Sequence, residues 1–403
     1  MDFFKTLLDI YHHAIQAVNG RTQVAHYLQT HPITSPFALI AIGKSASHMA
    51  AGAFDVANES ISHALLITKQ GYVDDELLKE YPIICLEAGH PIPNEKSIYA
   101  GQYLLDFIQQ LPKGLPVLCL ISGGTSALVE VLPANVTLKD LQKINQWALS
   151  HGLTIHQINQ IRKNLSRIKA GRLAHYLHGH TVINLCISDV PNDDLRVIGS
   201  GLLTPHDNLS LPSNLPDWLQ TCLTNTPPLN QNFSHISQTI IANATMARKA
   251  AAHHAKKLNY PIFLHDELLV KDAIETGKNI AHYLLTAKKG IYIWSSETTV
   301  QLPDNPGRGG RCQSLALAAA LVLQGKTDIF LLAAGTDGND GTHDVAGAYV
   351  DGNTILKGEK QGLNAKICLQ HANAGHFLAM IDHLIHTGLT GTNVMDIIIA
   401  IKL

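Results

Sequence analysis

The chain has 403 residues, about twice the size of a typical domain, so two domains with separate hydrophobic cores are expected. Lys and Arg total 30 against 32 Asp and Glu without basic blocks, which disfavours nucleic acid and anionic membrane surfaces as the main partners. No apolar run approaches the roughly 18 residues that a membrane span needs, and the six cysteines lack CxxC spacing, so the cytoplasm is the expected location.

Apolar runs of strand length alternate along the chain with longer segments of helical period. The runs cover residues 37–42, 63–68, 116–121, 181–187, 290–294 and 328–334. This alternation predicts βαβ units, and therefore an α/β fold whose sheets are mostly parallel and covered on both faces. Between residues 202 and 237 the composition changes to Pro, Asn, Ser and Thr, which is typical of loops. We accordingly predict an N-terminal domain over residues 1–235 and a C-terminal domain over residues 236–403.

The first predicted strand runs into the turn Gly43-Lys44-Ser45, and a helical segment follows. Backbone amides at such a turn attract an anion, and Lys44 would add a positive charge. The turn is not a Walker A loop, because Ala38 stands where that motif requires a glycine. A plain helix start with a surface lysine is the alternative interpretation.

A second turn, Ser122-Gly123-Gly124-Thr125-Ser126, again follows an apolar strand. Its successive amides and three hydroxyls suit a phosphate or a carboxylate. Close packing of a helix against a strand is the alternative use of such glycines.

A basic cluster and a set of acids follow in the same half of the chain. On a helix, Arg162, Lys163 and Ser166 fall within one turn, so one face could meet a polyphosphate, although a solvated face would have the same pattern. Asp189 lies just beyond the strand 181–187, where it could serve a metal, act as a general base or cap a helix.

The second half repeats the arrangement of polar residues after strands. Glu297 and Thr298 follow the run 290–294, and Arg311 begins an Ala/Leu-rich helix, where it could brace a phosphoryl group or clamp a carboxylate. The loop 334–344 holds Asp337 and Asp340, which indicate either a Mg²⁺ site or a solvent-exposed turn.

Taken in order, these motifs resemble those of the type 2 glycerate kinase family, whose C-terminal half is known as the MOFRL domain. The resemblance extends from about residue 40 to residue 396. The matching segments are 43–44, 88–95, 121–124, 162–172, 188–191, 200–201, 297–300, 309–311, 334–338 and 390–394.

The resemblance implies two α/β domains with mostly parallel, Rossmann-like sheets and an active site in the cleft between them. It implies ATP with Mg²⁺ as the donor and the 2-hydroxyl of glycerate as the acceptor, giving 2-phosphoglycerate. By the resemblance, Lys44 and Arg311 become the main catalytic cations. From their chemistry, Asp189 is the candidate to orient or deprotonate the acceptor, and Asp337 and Asp340 are the candidate metal ligands. The residues expected to bind nucleotide or substrate are Gly43, Ser122, Gly123, Gly124, Ser126, Lys163, Arg172, Ser200, Glu297, Thr298, Gly310, Gln313 and Asn393.

This chain departs from the family pattern at several positions near the expected site. Thr125 replaces a third glycine, Ser295-Ser296 replaces a Gly-Gly pair, and Cys312 and Ser314 flank Gln313 where Asn and Glu are usual. Because buried polar contacts control substrate discrimination, these departures leave open a different acceptor or a different efficiency on glycerate.

Two other functions remain open at the sequence level. Members of this family are often labelled nicotinamide-dependent hydroxypyruvate reductases, but no strand here is followed by GxGxxG, since Cys312 stands at the third glycine position after Gly307 and Gly309. A protein with the kinase fold but an altered acceptor or no turnover is the second alternative. The sequence also leaves open whether the chain forms a homodimer.

Overall fold

The computed structural model describes residues 2–206, 210–212, 214–225, 228–229, 232–341 and 344–403, so Thr342 and His343 of the acidic loop lie outside the described residues. The strands in these residues are β1 (Phe37–Ile42), β2 (Ile61–Lys69), β3 (Ile84–Ala88), β4 (Val117–Ile121), β5 (Val182–Ile187), β6 (Ile236–Ala242), β7 (Ile262–Leu269), β8 (Gly290–Ser296), β9 (Ile329–Gly335), β10 (Gly347–Asp351), β11 (Leu384–Ile385) and β12 (Asp396–Lys402). The α-helices are α1 (Phe3–Gln16), α2 (Gly20–Thr30), α3 (Ala46–Ala57), α4 (Asp75–Leu78), α5 (Glu95–Gln110), α6 (Thr125–Leu128), α7 (Leu138–Ser150), α8 (Ile155–Asn164), α9 (Leu173–Tyr176), α10 (Asp217–Leu223), α11 (Ala244–Ala255), α12 (Ala273–Thr286), α13 (Arg311–Leu323), α14 (Thr354–Lys360), α15 (Ala365–Gln370) and α16 (Ala374–Ala379).

The chain folds into two compact units. Gly20–Ile241 forms the first, here unit I, and Met1–Asn19 with Ala242–Leu403 forms the second, here unit II. This division differs from the predicted 1–235 and 236–403 in two ways. It falls later, because β6 extends the first sheet, and it assigns α1 to unit II, where the phenol of Tyr11 donates a 2.6 Å hydrogen bond to the carbonyl oxygen of Gly335.

The sheet of unit I confirms the α/β prediction. Its strand order is β3-β2-β1-β4-β5-β6, and the pairs from β3 through β5 are parallel. All six residues of β1 are buried, as expected for a strand covered on both faces of a parallel sheet. The strand order reverses direction between β1 and β4. Open α/β sheets bind their ligands outside the carboxyl ends of the strands at such a switch point.

The sheet of unit II corrects the prediction of mostly parallel strands. Its order is β11-β10-β9-β12-β8-β7, and β12 runs antiparallel to both of its neighbours, β8 and β9. Strand β10 is also antiparallel to β9 and β11, which leaves β7–β8 as the parallel pair among those described. The final strand, residues 396–402, and β10 are not among the predicted strands. The final strand lies antiparallel between β8 and β9, and β10 adds the antiparallel pairs with β9 and β11.

The cysteines behave as small apolar side chains. All six are free thiols, and five are buried, the exception being the partly buried Cys85. Burial raises the pKa of Cys186 to about 12, which keeps that thiol protonated.

In the described part of the chain, no helix is both long and apolar enough to cross a membrane.

Candidate active site

The carboxyl ends of the strands in unit I bring the predicted loops to one edge of the sheet. Ile42 at the end of β1 is aligned with Ile121 at the end of β4, and Ile121 is aligned with Cys186 in β5. Lys44 and Asp189 each follow their strand within three residues. The residues predicted from separate motifs therefore lie on neighbouring loops beside the switch point.

The two glycine turns are joined by hydrogen bonds. The amide of Lys44 donates to the carbonyl oxygen of Gly123 at 2.9 Å, and the amide of Ser45 donates to Oγ of Ser122 at 3.1 Å. Gly43 has φ +132°, and a Cβ there would collide with the Ser122 side chain, so this close approach requires glycine. Contrary to the prediction, the first-turn amides of Lys44 and Ser45 thus hold the second turn instead of pointing at an anion.

The second turn keeps its amides available. The N–H groups of Gly123, Gly124 and Ser126 make no hydrogen bond to any residue that the structure describes. Gly124 has φ +88°, and a Cβ there would lie 3.1 Å from Cδ2 of His90 and 3.3 Å from Cγ of Lys44. Lys44 and His90 therefore pack over an open turn, an arrangement that suits a bound anion. His90 was not predicted as a site residue, although it lies within the family-like segment 88–95.

One arginine of the basic cluster reaches this turn. Nη2 of Arg162 lies 3.5 Å from the carbonyl oxygen of Ser126, whose Oγ is 2.7 Å from Oγ of Ser200. Nε of Arg162 is buried and has no hydrogen-bond partner among the described residues. Burial also lowers the pKa of this guanidinium. A buried guanidinium donor without a protein partner, on a residue that contacts Ser126, is chemically suited to an anion.

Lys163 and Arg172, which we predicted to bind ligand, are instead engaged with the protein. Nζ of Lys163 donates to the carbonyl oxygen of Arg196 at 2.9 Å and lies 3.1 Å from Nε2 of His206. Nη1 of Arg172 donates to the carbonyl oxygens of Lys163 and Ser166 at 2.7 and 3.1 Å. Burial lowers the pKa of Arg172 to about 10. Arg172 thereby fixes the segment after α8, and Lys163 ties the end of α8 to the loop that carries Arg196 and His206.

A buried ion pair connects this segment to the second glycine turn. Lys169, which follows α8, pairs with Glu130, which follows α6, and both side chains are fully buried. Burial lowers the pKa of Lys169 to about 8, and the charge of Glu130 opposes that shift. The pair fixes the position of the basic segment relative to Ser126.

We expect Lys169→Met to lower the free energy of unfolding by about 3–5 kcal/mol, because it leaves the carboxylate of Glu130 buried without a counter-charge. The double variant with Glu130→Leu removes both charges and is expected to recover most of that loss. Urea unfolding of the two variants measures the difference. Equal losses in the single and double variants would contradict a coupled pair.

The loop after β5 carries Asp189, and residues further along this loop line a cavity. Residues 191–197, with Thr204 and Pro205, line a space of about 910 Å³. Asn192 adopts φ +59°, which is uncommon for a residue with a side chain. Asp194 is held by the guanidinium of Arg196 at 2.9 Å, so that carboxylate is already paired. Asp189 is the second residue after β5 and is partly buried.

In unit II, a second polar group lies where three strands meet. Asp396 at the start of β12 is aligned with Ser296 at the end of β8 and with Gly335 at the end of β9. Glu297 and Asp337 follow those two strand ends. The carboxylate of Asp396 is thus inserted between the loops that carry the predicted residues.

Arg311 is held by two carboxylates. Its Nε and Nη2 donate to Asp396 at 2.6 and 2.9 Å, and its Nη1 lies 2.8 Å from Oε1 of Glu297. Burial disfavours the charged guanidinium, but Asp396 and Glu297 outweigh burial and raise the pKa of Arg311. One positive charge is therefore matched by two negative charges. Asp396 is 1% exposed and Glu297 33% exposed, so Glu297 is the carboxylate with room to move aside for an incoming anion.

Asp340 acts as a cap for α13. Its two carboxylate oxygens accept hydrogen bonds from the amides of Cys312 and Gln313 at 3.0 and 2.8 Å, and from Nε2 of Gln313 at 2.9 Å. A Cβ at Gly310 would collide with this carboxylate. Burial, followed by the charge of Asp396, raises the pKa of Asp340 to about 6. Asp340 and Gln313, predicted as metal and ligand residues, are thus used to orient the helix that begins with Arg311.

These contacts bear on whether the acidic loop fits Mg²⁺. Mg²⁺ in phosphoryl-transfer sites is held by one or two carboxylates, water and substrate phosphates. Asp340 does not fit, because both of its oxygens accept hydrogen bonds from α13. Oδ1 of Asp337 accepts a hydrogen bond from the amide of Asn339 at 3.0 Å. Of the two predicted ligands, Asp337 is the one that fits a metal carried mainly by phosphates.

Three buried hydroxyls near the same strand ends lack partners. Oγ of Ser296 and Oγ1 of Thr298 and Thr392 are buried and make no hydrogen bond among the described residues. Thr392 precedes the buried Asn393, another predicted ligand residue. Buried hydroxyls are normally satisfied, so these groups mark positions where a ligand or water would bind.

The departures from the family pattern are buried. Oγ1 of Thr125 donates to the carbonyl oxygens of Ile42 and Ser122 at 2.9 and 2.7 Å, which adds another link between the two turns. Cys312 and Ser314 are 1% and 3% exposed. Their side chains thus belong to the packing of α13, and Thr125 belongs to the support of the turn.

Known proteins and family models match most of the chain. Residues 6–213 match the model of a domain of unknown function, DUF4147, and residues 290–396 match the model of the MOFRL family. The chain is 33% identical over 381 residues to D-glycerate 2-kinase of Thermotoga maritima, with 90% of each chain covered. It is 32% identical over 378 residues to a protein of Agrobacterium vitis that carries a hydroxypyruvate reductase label, covering 89% of this chain and 97% of the relative. The crystal structure of glycerate kinase from Thermotoga maritima superposes with a TM-score of 0.84, at 30% identity and 99% coverage of both chains.

Proposed function

This chain belongs to the type 2 glycerate kinase family, and from that premise we propose that it transfers the γ-phosphoryl group of ATP to the 2-hydroxyl of glycerate, forming 2-phosphoglycerate. The observation that carries the proposal is the open Gly124 turn, over which Lys44 and His90 pack at the switch point of a parallel sheet. Kinases named for glycerate among the relatives supply the reaction class. The enzyme is a phosphotransferase with an alcohol group as acceptor.

In this reaction the 2-hydroxyl oxygen attacks the γ-phosphorus, the bond from phosphorus to the β,γ-bridging oxygen breaks, and ADP leaves. The protein contributes mainly by positioning the reactants and stabilising charge on the phosphoryl oxygens. Lys44 supplies a positive charge beside the amides of Gly123 and Gly124. Asp189, on the adjacent loop of the same sheet edge, is assigned to accept the hydroxyl proton.

We assign the carboxylate of glycerate to Arg162, with Ser126 and Ser200 as hydroxyl partners. Arginine binds carboxylates in a bidentate manner, and Nε of Arg162 is a buried donor that lacks a partner among the described residues. Lys163 and Arg172, which the sequence favoured, keep a positioning role for this segment.

Arg162→Met is expected to raise the KM for glycerate by about 10- to 100-fold, since a charged hydrogen bond to the substrate carboxylate is lost. The KM for ATP should change little. Arg167→Met is the matched control, because Arg167 lies in the same segment but is exposed. A rise in the KM for ATP, with no change in the KM for glycerate, would indicate that Arg162 binds the nucleotide instead of glycerate.

Arg311 and Asp337 of unit II are assigned to the nucleotide phosphates. Asp337 would hold the Mg²⁺ that accompanies ATP, and the ion would neutralise charge on the phosphates. Arg311 would contact the transferring phosphoryl group once the carboxylate of Glu297 has moved aside, while Asp396 keeps the guanidinium oriented. Asp340 and Gln313 act indirectly, through the start of α13.

The first test is ADP release from ATP and Mg²⁺ with D-glycerate, followed by addition of enolase, which accepts 2-phosphoglycerate and not the 3-isomer. Glycerate-dependent ADP with an enolase-competent product supports the proposal. A 3-phosphorylated product would overturn the regiochemistry, and no turnover would direct the assay to other hydroxy acids and sugar acids.

The reductase label of some relatives has a direct test. When the protein is mixed with hydroxypyruvate and NADH or NADPH, the absorbance of the reduced nicotinamide should stay constant, because the chain has no GxGxxG turn after a strand. Oxidation of either cofactor that depends on hydroxypyruvate would favour the reductase.

The free cysteines suit a reducing compartment, and we propose the cytoplasm.

A further inference from the structure

A cluster of three metal-ligating side chains lies on unit II among residues to which the reaction assigns no role. Asp9 and His13 are on α1, and His254 is on α11; we call these residues the α1–α11 cluster. One ligand atom from each residue lies within 4.8 Å of the others. Asp9 and His13 are four residues apart, which places both on one face of the helix.

The contacts within the cluster show how closely the donors converge. Nε2 of His254 lies 2.6 Å from Oδ2 of Asp9. Nδ1 of His13 lies 3.5 Å from Oδ1 of the same carboxylate and 2.9 Å from the main-chain carbonyl oxygen of Asp9. The two imidazole rings stack with centroids 3.4 Å apart and planes 16° apart. A single carboxylate therefore faces two imidazoles that come from different helices.

The donor set selects the class of cation. Two imidazoles and one carboxylate are the protein ligands of many zinc sites, in which water completes the tetrahedron. Imidazole also suits Ni²⁺, Cu²⁺ and Fe²⁺, whereas Mg²⁺ and Ca²⁺ prefer all-oxygen surroundings. The cluster is thus chemically distinct from any site for the Mg²⁺ that accompanies ATP.

We propose that the α1–α11 cluster binds one divalent cation of the zinc class and fastens α1 to α11. The side chain of His254 is 14% exposed, while those of His13 and Asp9 are 41% and 58% exposed. The site therefore has one nearly buried ligand as an anchor, and two ligands with room to rotate out of the stacked arrangement. Water from the open side completes the coordination.

Cation binding at the α1–α11 cluster would also stabilise the packing of Tyr11. Tyr11 lies between Asp9 and His13 in sequence, is fully buried, and donates its phenol proton to the carbonyl oxygen of Gly335. Gly335 ends β9 and precedes Thr336-Asp337. A cation that holds α1 in place would thus stabilise the strand end from which the acidic loop begins.

The test is a titration of the full-length protein with Zn²⁺ in competition with a chromogenic chelator, together with a thermal melt at one equivalent of Zn²⁺. We expect one high-affinity site in the wild type and a higher Tm with the ion. His13→Ala with His254→Ala should raise the Kd by at least about 10-fold and abolish the Tm shift.

Neighbouring histidines give a matched control. His12 and His253 are exposed and lie one residue from the proposed ligands on the same two helices. His12→Ala with His253→Ala should therefore retain the Kd and the Tm shift of the wild type. Asp9→Asn, which preserves the shape of the side chain, should weaken binding without loss of fold by circular dichroism. Failure of the wild type to bind Zn²⁺, or equal binding by both double variants, would overturn the proposal, and neither result depends on kinase activity.

Discussion

Lys44→Ala is expected to lower kcat for ADP formation by about 10²–10³-fold, the loss typical for removal of one group that stabilises charge in the transition state. Lys44 follows β1 at the switch point, and its side chain packs over the Gly124 turn. The amides of this turn remain in the variant, because the Lys44 backbone still donates to Gly123. Binding of ATP should consequently be weakened less than the chemical step.

Lys113→Ala is the control for Lys44→Ala. Lys113 is exposed and precedes β4, so it lies at the amino end of the strand whose carboxyl end carries the second turn. That variant should retain the wild-type kcat and KM. An undiminished rate in Lys44→Ala, with the fold intact, would remove Lys44 from the mechanism and leave the turn amides as the main contribution of unit I.

Arg311→Ala is expected to lower kcat by about 10³-fold, as for other arginines that stabilise a transferring phosphoryl group. Arg311→Lys should recover little of this loss. A lysine carries its charge on a single ammonium group. It therefore cannot pair with Asp396 and Glu297 at the same time, as the forked guanidinium does. Steady-state kinetics with ATP and glycerate varied separately measure both variants.

The stability of the Arg311 variants must be measured beside their activity. Removal of the guanidinium leaves the buried carboxylate of Asp396 without its counter-charge, so a lower Tm is expected together with lower activity. Arg308→Ala, which changes an exposed arginine just before α13, is the control and should leave both unchanged. Full activity in a folded Arg311→Lys would show that charge alone suffices, and would contradict a role for the fork geometry.

Asp396→Asn separates orientation from charge. The amide keeps the size of the side chain but supplies one acceptor in place of two, so the guanidinium of Arg311 should bind Glu297 more and its proposed phosphate less. We expect kcat to fall while the KM for glycerate stays near the wild-type value, because glycerate is assigned to Arg162. A selective rise in the KM for glycerate would instead place Asp396 beside the acceptor.

Several features of the site were predictable from local sequence. Turns with glycine after buried strands are recognisable because parallel strands are continuous apolar runs, and ligand loops follow their carboxyl ends. Gly43, Lys44 and Gly124 were identified in this way and lie on neighbouring loops. Arg311 was identified by its position at the start of an Ala/Leu-rich helix.

The partners of charged residues were not predictable, because they come from distant parts of the chain. Arg311 binds Asp396, which is 85 positions away, and Lys169 binds Glu130, which is 39 positions away. A cluster such as 162–172 shows only that cations are present. The tertiary structure decides that the side chains of Lys163 and Arg172 donate to carbonyl oxygens, while the guanidinium of Arg162 reaches the turn at Ser126.

The sequence by itself determined the α/β class, the parallel strands of unit I, the glycine turns at the edge of its sheet and the family, since each depends on patterns that are local or ordered along the chain. Tertiary structure alone decided the direction of β12 and the role of Asp340. Strand β12 is apolar in either direction, and its antiparallel course follows from insertion between β8 and β9. Asp340 became a helix cap because the loop that carries it folds against the start of α13, where unpaired amides are the nearest donors.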